Sequence, residues 1–372
     1  MNYQADVCIV GAGPAGALLS YLLAKKGLSV ILLEQNVALG QAFRGEHLNE
    51  EGEAVLKSHH LFEAVEALGI LRMEKLEYYA GGRAFKTILP DEAIGHLGIH
   101  VPQANLLKGI LQKAQLFPNF TCLLHTKVTK LIADATGHYR GVMAIKNGDP
   151  IQIDSQLIIG ADGRYSTIRK QAHIDVLKQK HGFDLLWAKI PAPADWEPSI
   201  KMALIDDKQL SLFTQVGGYL QIGWNIEQGS FPQLRKLAFT PFIQQLVEAF
   251  PELTKTVQAQ ITSWQDFVLL DVFSSHCNSW GTKGLVLLGD AVHTMTPTGA
   301  FGLNSALKDA DCLASLLNKD TLAQFNVQYF QQMRKQAIEE VLAKQIEKEQ
   351  TFASNFINKA SRKDEQLDEV WL

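Results

Sequence analysis

The sequence predicts an α/β protein in which a mainly parallel sheet is interrupted by an antiparallel, α+β part and followed by a C-terminal helix. Three observations favour this class. Residues 1–34 pass from an apolar strand through a glycine-rich turn and a helix to a second strand. Segments 157–169 and 284–304 repeat the passage from apolar strand to glycine-containing turn to helix. Residues 176–275 contain short alternating runs typical of half-buried antiparallel strands.

Composition limits the function classes. The chain has 372 residues, 47% of them hydrophobic, which is enough apolar material for about two domains. Its 35 basic and 39 acidic side chains give a net charge of −4, which excludes a protein that attracts nucleic acid through its overall charge. Four cysteines without CxxC spacing predict neither a metal site nor a disulfide framework. The N-terminus lacks a basic leader and no apolar run reaches about eighteen residues, so we expect a cytoplasmic protein without a transmembrane segment.

The first fifty residues carry the pattern of a dinucleotide-binding turn. An apolar strand at 6–10 precedes the turn 11–16 (GAGPAG), and a leucine-rich helix and a second strand follow. In this pattern Gly13 lets the backbone approach a pyrophosphate, and Gly16 lets helix and strand pack closely. The helix N-terminus favours a phosphate group. Glu34 ends the second strand, where a carboxylate accepts from a ribose hydroxyl and repels a 2′-phosphate, so we expect FAD or NAD rather than NADP.

Two distant segments favour FAD over NAD alone. Residues 157–169 predict a strand, a turn at Asp162-Gly163 and a helix capped by Ser166. Residues 284–304 predict a strand that ends at Gly289-Asp290 and a loop that opens a second helix. Either acid could simply cap a helix, and Asn304 could do the same. The order of the three segments is what indicates a cofactor site.

In this order the segments resemble the single-component FAD-dependent aromatic hydroxylases, the flavoprotein monooxygenases whose type member is para-hydroxybenzoate hydroxylase. The resemblance covers residues 1 to about 320 and is closest over 289–304, together with Arg44 and Gln103. It implies a Rossmann-like FAD-binding domain with an inserted antiparallel-sheet substrate domain that lies over the flavin. The implied boundaries are 1–74, 95–175 and 276–320 for the discontinuous FAD-binding domain, 75–94 and 176–275 for the substrate domain, and 321–372 for a C-terminal helical segment.

The resemblance also implies roles for individual residues. Pro297 and Gly299 belong to a loop at the flavin face, and no side-chain nucleophile is expected. The backbone N–H groups of 302–304 would face the flavin pyrimidine ring, because a helix N-terminus stabilises the negative charge of a reduced flavin. The resemblance implies that Asp162 matters for both FAD and the reduced pyridine nucleotide. The residues expected to bind FAD are Gly11, Gly13, Pro14, Ala15, Gly16, Glu34, Arg44, Gln103, Asp162, Gly289, Asp290, Gly302, Leu303 and Asn304.

The inserted region predicts the substrate side. Residues 75–89 predict a hairpin that joins the alternating strands of 201–226, and 231–250 predicts a helix. The family's type member holds a benzoate carboxylate with arginine on this sheet, whereas residues 170–234 contain no arginine, so a buried anion would lack a bidentate partner. We therefore expect a neutral, apolar aromatic or quinone-like substrate, although aromatic residues at strand spacing belong more often to the core. The polar strand ends carry Gln215, Tyr219, Gln221 and Asn225, and the candidate substrate contacts are Trp187, Tyr219, Gln221 and Trp224.

By resemblance the reaction is a hydroxylation. NADPH or NADH, bound transiently, reduces FAD; O₂ then adds at flavin C4a, and the hydroperoxide hydroxylates the substrate while the protein excludes water. The oligomeric state stays open between monomer and homodimer. Three alternatives also stay open. They are an FAD-dependent reductase of isoprenoid or other lipids, a flavin halogenase (whose Trp-x-Trp-x-Ile-Pro motif residues 186–191 lack), and a flavin-bound non-catalytic redox protein.

Overall fold

The computed structural model describes residues 1–40 and 45–361, apart from the side chains of residues 323 and 358–361. The chain divides into two compact units. Unit 1 comprises Met1–Gly69, Pro102–Gln179 and Ser274–Ala343, and unit 2 comprises Ile70–Val101, Lys180–Phe273 and, within the described residues, 344–361. The C-terminal segment that the sequence sets apart from residue 321 is thus divided between the two units.

The strands, in chain order, are β1 (Asn2–Val10), β2 (Val30–Leu33), β3 (His47–Leu48), β4 (Leu71–Arg72), β5 (Lys75–Ala80), β6 (Arg83–Ile88), β7 (Ile99–His100), β8 (Phe120–Leu123), β9 (Thr126–Ala133), β10 (Tyr139–Lys146), β11 (Asp149–Gly160), β12 (Val176–Lys180), β13 (Phe183–Pro191), β14 (Ser199–Ile205), β15 (Lys208–Gln215), β16 (Tyr219–Glu227), β17 (Val268–Leu270), β18 (Phe273–Cys277), β19 (Gly281–Thr282), β20 (Leu285–Leu287) and β21 (His293–Thr294). The helices are α1 (Pro14–Lys25), α2 (Glu50–Ser58), α3 (Phe62–Glu66), α4 (Gln103–Ala114), α5 (Thr167–Gln171), α6 (Phe231–Leu234), α7 (Phe239–Ala249), α8 (Thr254–Gln260), α9 (Phe301–Leu316) and α10 (Val327–Ser361).

The sheet of unit 1 brings the sequence motifs to one edge. Its strands follow the order β19-β20-β11-β1-β2-β8, and β10 and β9 extend it as antiparallel strands. Strand β1 pairs in parallel with β2 and with β11, in a register that sets Val10 beside Leu33 and Gly160. Leu287 of β20 continues the same row in parallel. The carboxyl ends of four motif-bearing strands therefore meet at one edge, which is where open α/β sheets bind their ligands.

Helix α1 is central to unit 1. Its residues from Ala15 to Ala24 are buried, and it packs against α4 and α9. A helix that is apolar on every side is stable only when other elements surround it, which explains its leucine- and alanine-rich composition. The N-terminus of α1 is thereby fixed at the edge where β1 ends.

Unit 2 is built on a twisted, mainly antiparallel sheet. Its strands follow the order β17-β13-β16-β15-β14-β5-β6, and only β5 and β14 pair in parallel within it. Alternate residues point to opposite faces. The first face, which we call the helix-covered face, packs Leu220, Ile222 and Trp224 against α7 and α8. The second face carries two apolar clusters, one around Tyr78 and Ile200 and a smaller one of Leu185, Trp187 and Val272 with their neighbours.

The predicted strands of unit 2 are confirmed, including the 75–89 hairpin, which joins the sheet as β5 and β6. The single helix predicted over 231–250 is wrong, because α6 ends at Leu234 and α7 begins at Phe239. Pro241 lies in the first turn of α7, where a missing N–H costs no hydrogen bond, so the chain restarts the helix there. Within the described ranges, no helix is both long enough and apolar enough to cross a membrane.

Candidate active site

The glycine-rich turn is close-packed at two of its three glycines. Gly11 has a φ of +104°, and a Cβ there would lie 2.4 Å from the carbonyl oxygen of Ala161. A Cβ at Gly16 would lie 2.0 Å from the carbonyl oxygen of Gly11. Both contacts are far inside van der Waals distance, so the fold itself requires these two glycines.

Gly13 behaves differently. Its φ is −71°, and among the described residues no atom beyond its own chain neighbours lies within 4 Å of where its Cβ would stand. The fold would therefore accept a side chain here, and the glycine leaves space in front of α1. The helix begins at Pro14 without a side-chain cap and without an acidic residue in its first turn. Open space facing uncapped N–H groups suits a phosphate, so the residues fit the pyrophosphate of a dinucleotide such as FAD.

Glu34 is held beside this turn. Its Oε2 accepts from the backbone N–H of Ala12 at 3.0 Å, and its Oε1 accepts from the backbone and side chain of Asn36 at 2.9 and 2.7 Å. These bonds fix the carboxylate while leaving lone pairs for a further donor. The geometry suits the ribose role expected of Glu34.

Asp162 follows β11 at the same edge, but its carboxylate is already engaged. It accepts hydrogen bonds from the Ser166 hydroxyl, from Thr167 N at 2.6 Å and from Ile168 N at 3.0 Å. Burial raises the pKa of the Asp162 carboxyl against the effect of these donors. Asp162 therefore caps α5, with Ser166 as the N-cap residue that the sequence predicted. A role of Asp162 toward a cofactor stays a prediction.

The turn Gly289–Ala291 is tied to the mid-chain segment by Arg169. This arginine is 2% exposed, and its guanidinium donates to the carbonyl oxygens of Ala291 at 2.6 Å and of Arg164 at 3.0 Å. In the part of the chain described, the carboxylate of Asp290 accepts no hydrogen bond, in contrast to that of Asp162. The two motifs that the sequence separates by more than a hundred residues thus form one structure, which sequence reasoning missed because nothing in the motif indicates the partner of Arg169.

The loop before α9 is bent by two left-handed residues. Gly299 has a φ of +73° and Ala300 a φ of +54°, a costly conformation for alanine that is more common at functional sites. Pro297 precedes this bend. Helix α9 then begins at Phe301 with no side-chain cap and no acid in its first turn, so the N–H groups of Gly302 and Leu303 form a donor array.

Asn304 connects this helix to an earlier segment. Its amide donates to the carbonyl oxygens of His47 at 3.2 Å and Ala300 at 2.9 Å, and its Oδ1 accepts from Asn49 N at 3.1 Å. A Cβ at Gly52 would lie 2.2 Å from the same Oδ1. The side chain of Asn304 therefore positions the start of α2 and does not cap α9, while its backbone stays in the first turn of α9.

Two further cofactor candidates are Gln103 and Arg44. Gln103 begins α4, and its backbone N–H donates to the carboxylate of Glu46 at 2.9 Å. Its side chain is half-buried. Arg44 lies outside the described residues.

The predicted substrate contacts fall on both faces of the unit 2 sheet. Trp187 and Gln221 lie on the second face and are 8% and 7% exposed. Tyr219, at the start of β16, is 41% exposed, and the Lys189 ammonium lies 4.5 Å from its ring centroid. Trp224 points to the helix-covered face, where its ring stacks on Phe242 with centroids 4.0 Å apart.

The second face contains a buried pair of amides. The Gln215 side-chain amide donates to Gln221 Oε1 at 2.5 Å, and Gln215 is 2% exposed. Its Oε1 is buried and has no hydrogen-bond partner among the residues described. The adjacent backbone N–H of Val216 donates to Nδ1 of the buried His100 at 3.1 Å. The sequence indicated Gln215 only as a polar strand end, because the missing partner is visible only in three dimensions.

The parallel strands of unit 1 lead to the uncapped N-terminus of α1 and the open space at Gly13, and α9 offers a second donor array. These features fit a protein that binds a dinucleotide. Residues 4–324 match the family described as FAD binding domain, and the chain belongs to this family.

The chain is 33% identical over 311 residues to 6-methylpretetramide 4-monooxygenase from Streptomyces rimosus, a match that covers 82% of this chain and 73% of the relative. Its fold is similar to that of PqsL of Pseudomonas aeruginosa, described as a probable FAD-dependent monooxygenase, with a TM-score of 0.80 at 19% identity over 96% of this chain and 100% of PqsL. It is also similar to p-nitrophenol 4-monooxygenase PnpA of Pseudomonas putida DLL-E4, with a TM-score of 0.77 at 16% identity over 96% and 93% of the two chains. The predicted fold class, the FAD cofactor and the class of FAD-dependent monooxygenase are confirmed.

Proposed function

We propose that this monooxygenase hydroxylates a neutral aromatic or quinone-like small molecule that donates a hydrogen bond to Gln215 on the second face of the unit 2 sheet. Unit 1 would hold FAD, and NADPH or NADH would bind transiently as the reductant. A cytoplasmic location, where reduced pyridine nucleotide is available, belongs to the same proposal, as does a monomeric or homodimeric state. The alternative is an FAD-dependent reductase of a lipid substrate.

The observation that carries the substrate class is the buried Oε1 of Gln215. A buried carbonyl oxygen without a donor costs about 1–3 kcal/mol, so it calls for an explanation, and a ligand that donates a hydrogen bond is one. A phenolic O–H or a ring N–H supplies the missing donor. The Gln215–Gln221 pair is uncharged and offers no bidentate cation, so a carboxylate would lose its hydration there without compensation.

The surroundings of the amide pair favour an apolar ring. On the same face, Trp187 and Leu185 form one apolar cluster, and Ile200, Met202 and Phe213 belong to the other. Apolar walls around a few fixed polar groups are typical of small-molecule sites. Trp187, Gln221 and the more exposed Tyr219 remain candidate contacts. The proposed substrate surface does not include Trp224, because that side chain is part of the core beneath α7.

In unit 1, the turn 11–16 and the first turn of α1 would bind the pyrophosphate, and Glu34 would accept from the adenosine ribose. Asp290, whose carboxylate is available, would accept from the ribityl hydroxyls. When bound, FAD would supply the transfer of electrons from NAD(P)H and the activation of O₂. At the N-terminus of α9, the N–H groups of Gly302 and Leu303 would stabilise the negative charge of the reduced flavin. Pro297 and Gly299 would shape the loop that precedes this N-terminus.

The first test is the absorbance of the purified protein, which we expect to be yellow and to release FAD on denaturation. NAD(P)H-dependent oxygen uptake is then measured with neutral phenols, quinones and quinolones, and with benzoates of matched size. Stimulation by a neutral ligand supports the proposal, whereas saturation by micromolar benzoate contradicts it. Substrate-dependent NAD(P)H consumption that continues without oxygen would establish the reductase alternative.

A variant pair tests the role of Gln215. Gln215→Met keeps the volume but removes the acceptor, and we expect kcat/KM for the neutral substrate to fall at least 10-fold with an unchanged or higher thermal midpoint. Gln209→Met, on the same strand β15, is the matched control and should leave kcat/KM within 2-fold. Equal effects of the two substitutions would contradict the proposed contact.

A further inference from the structure

A buried ionic cluster lies behind the Gly289–Ala291 turn. Asp309 of α9 is fully buried, and its Oδ2 accepts from His293 Nε2 at 2.5 Å and from the backbone N–H of Gly289 at 3.3 Å. Its Oδ1 accepts from Arg334 Nε at 2.8 Å. His293 and Arg334 are 1% and 8% exposed. Because a buried charge is expensive unless paired, the carboxylate of Asp309 depends on His293 and Arg334 together for its compensation.

The cluster holds one end of the turn, and Arg169 holds the other. Asp309 binds the N–H of Gly289, and Arg169 binds the carbonyl oxygen of Ala291 at 2.6 Å. Between these two anchored residues stands Asp290, whose carboxylate accepts no hydrogen bond from any residue in the ranges that the structure covers. The backbone of the turn is therefore fixed while the side chain of Asp290 is left available.

This arrangement is what a ligand-binding carboxylate needs. A side chain whose binding depends on its orientation must be held by neighbours that are themselves fixed by hydrogen bonds, because a displacement of about 1 Å is enough to lose most of the interaction. Arg334 comes from α10, outside every motif, and its described hydrogen bond goes to Asp309, which in turn binds the N–H of Gly289.

We propose that Asp309 and Arg334 are positioning residues that orient Asp290 toward the ribityl chain of FAD, an inference that rests on the proposed cofactor role of Asp290. Neither side chain needs to touch the cofactor. The effect of Arg334 on FAD binding should pass through Asp290 and disappear when Asp290 is removed.

The test is a double-mutant cycle on FAD affinity. The dissociation constant of FAD is measured by flavin fluorescence on the apoprotein of the wild type, Arg334→Met, Asp290→Ala and the double variant, at a temperature below each apoprotein's thermal midpoint. We expect Asp290→Ala and Arg334→Met each to weaken binding at least 10-fold, and the double variant to equal Asp290→Ala within 2-fold. Lys335→Met is the matched control on α10, since Lys335 is only half-buried and its described ion pair is with Glu339 at 3.7 Å, away from Asp309. It should change affinity less than 2-fold.

The outcomes distinguish a failure of the positioning role of Asp309 and Arg334 from a failure of the proposed function. Additive effects of Asp290→Ala and Arg334→Met, or an unchanged affinity in Arg334→Met, would overturn the positioning role while leaving the FAD site intact. An unchanged affinity in Asp290→Ala removes the cofactor role of Asp290 and this inference with it. A wild-type protein that binds no FAD contradicts the proposed function itself. If Arg334→Met does not fold, Arg334→Lys replaces it in the same cycle, because it keeps the positive charge but displaces the donor to Asp309.

Discussion

The two units prepare their sites by different physical means. Unit 1 presents backbone groups: the turn 11–16 and the uncapped first turns of α1 and α9 all offer N–H donors at one edge of a parallel sheet. Unit 2 presents side chains on one face of an antiparallel sheet, with Gln215 and Gln221 between apolar clusters. A backbone site depends on a few glycines at fixed spacing, whereas a side-chain site depends on which strand face is left for a ligand.

The contrast extends to the buried polar groups. In unit 1 the carboxylates of Asp162 and Asp309 each accept three hydrogen bonds from the protein. In unit 2 the Oε1 of Gln215 is buried and lacks a partner in the described part of the chain. We infer that the cofactor site is preorganised, while the substrate site is completed by the substrate. Four predictions test this difference.

The largest effect is expected from Gly16→Ala. Its Cβ would overlap the carbonyl oxygen of Gly11, a backbone atom that cannot move without displacing β1. We expect a loss of more than about 3 kcal/mol in the free energy of unfolding, or no soluble protein, because overpacking against backbone has no local relief. Urea unfolding followed by circular dichroism measures this. A variant as stable as the wild type would show that the turn is looser than the structure indicates.

Trp224→Ala should have the next largest effect and separates the two faces of the unit 2 sheet. Truncation of the buried indole, which also removes its stack on Phe242, is expected to cost about 3–5 kcal/mol of stability. In the folded fraction the KM for the substrate should stay unchanged, since Trp224 faces the helices. Trp187→Ala is the counterpart on the second face and should raise KM. Steady-state kinetics at a temperature well below the thermal midpoint distinguishes them, and a raised KM in Trp224→Ala would contradict the assignment of faces.

Gly13→Ala should affect binding without affecting folding. The protein leaves space for the added methyl group, and φ at this position suits alanine, so we expect the free energy of unfolding of the apoprotein to change by less than about 0.5 kcal/mol. FAD affinity should fall at least 30-fold, because the methyl group occupies the space proposed for the pyrophosphate. Flavin fluorescence titration measures the affinity. Unchanged FAD binding would place the pyrophosphate elsewhere.

The smallest expected effect is the acid sensitivity contributed by Asp309. Burial raises the pKa of this carboxyl, but His293 and Arg334 outweigh burial and hold the pKa below its ordinary value of 3.8. A lowered folded-state pKa stabilises the protein above pH 3.8, and this contribution is lost as the pH falls through the folded-state value. The stability difference between wild type and Asp309→Asn should therefore shrink as the pH falls below about 4. Urea unfolding of the two apoproteins between neutral pH and pH 3 checks this. A stability difference that grows toward acid pH would contradict a lowered pKa of Asp309.

Much of unit 1 could be predicted because its motifs act locally. The spacing of Gly11, Gly13 and Gly16, the strands on either side and Glu34 at the end of β2 determine a backbone geometry within about thirty residues, and the class of protein follows from it. The capping role of Ser166 was equally local. These features need no knowledge of distant partners, since each is a constraint between near neighbours in the chain.

Only the tertiary structure decided the rest. Strand alternation divides residues such as Trp187 and Trp224 between two faces, but it does not say which face the helices cover. The engagement of Asp162 as a cap depends on where α5 begins. The anchoring of Gly289 by Asp309 and Arg334, and the buried Oε1 of Gln215, arise from residues that approach only when the chain is folded. The sequence by itself thus determined the cofactor fold through local backbone constraints, while the specificity of the sites was decided by long-range packing that no local pattern encodes.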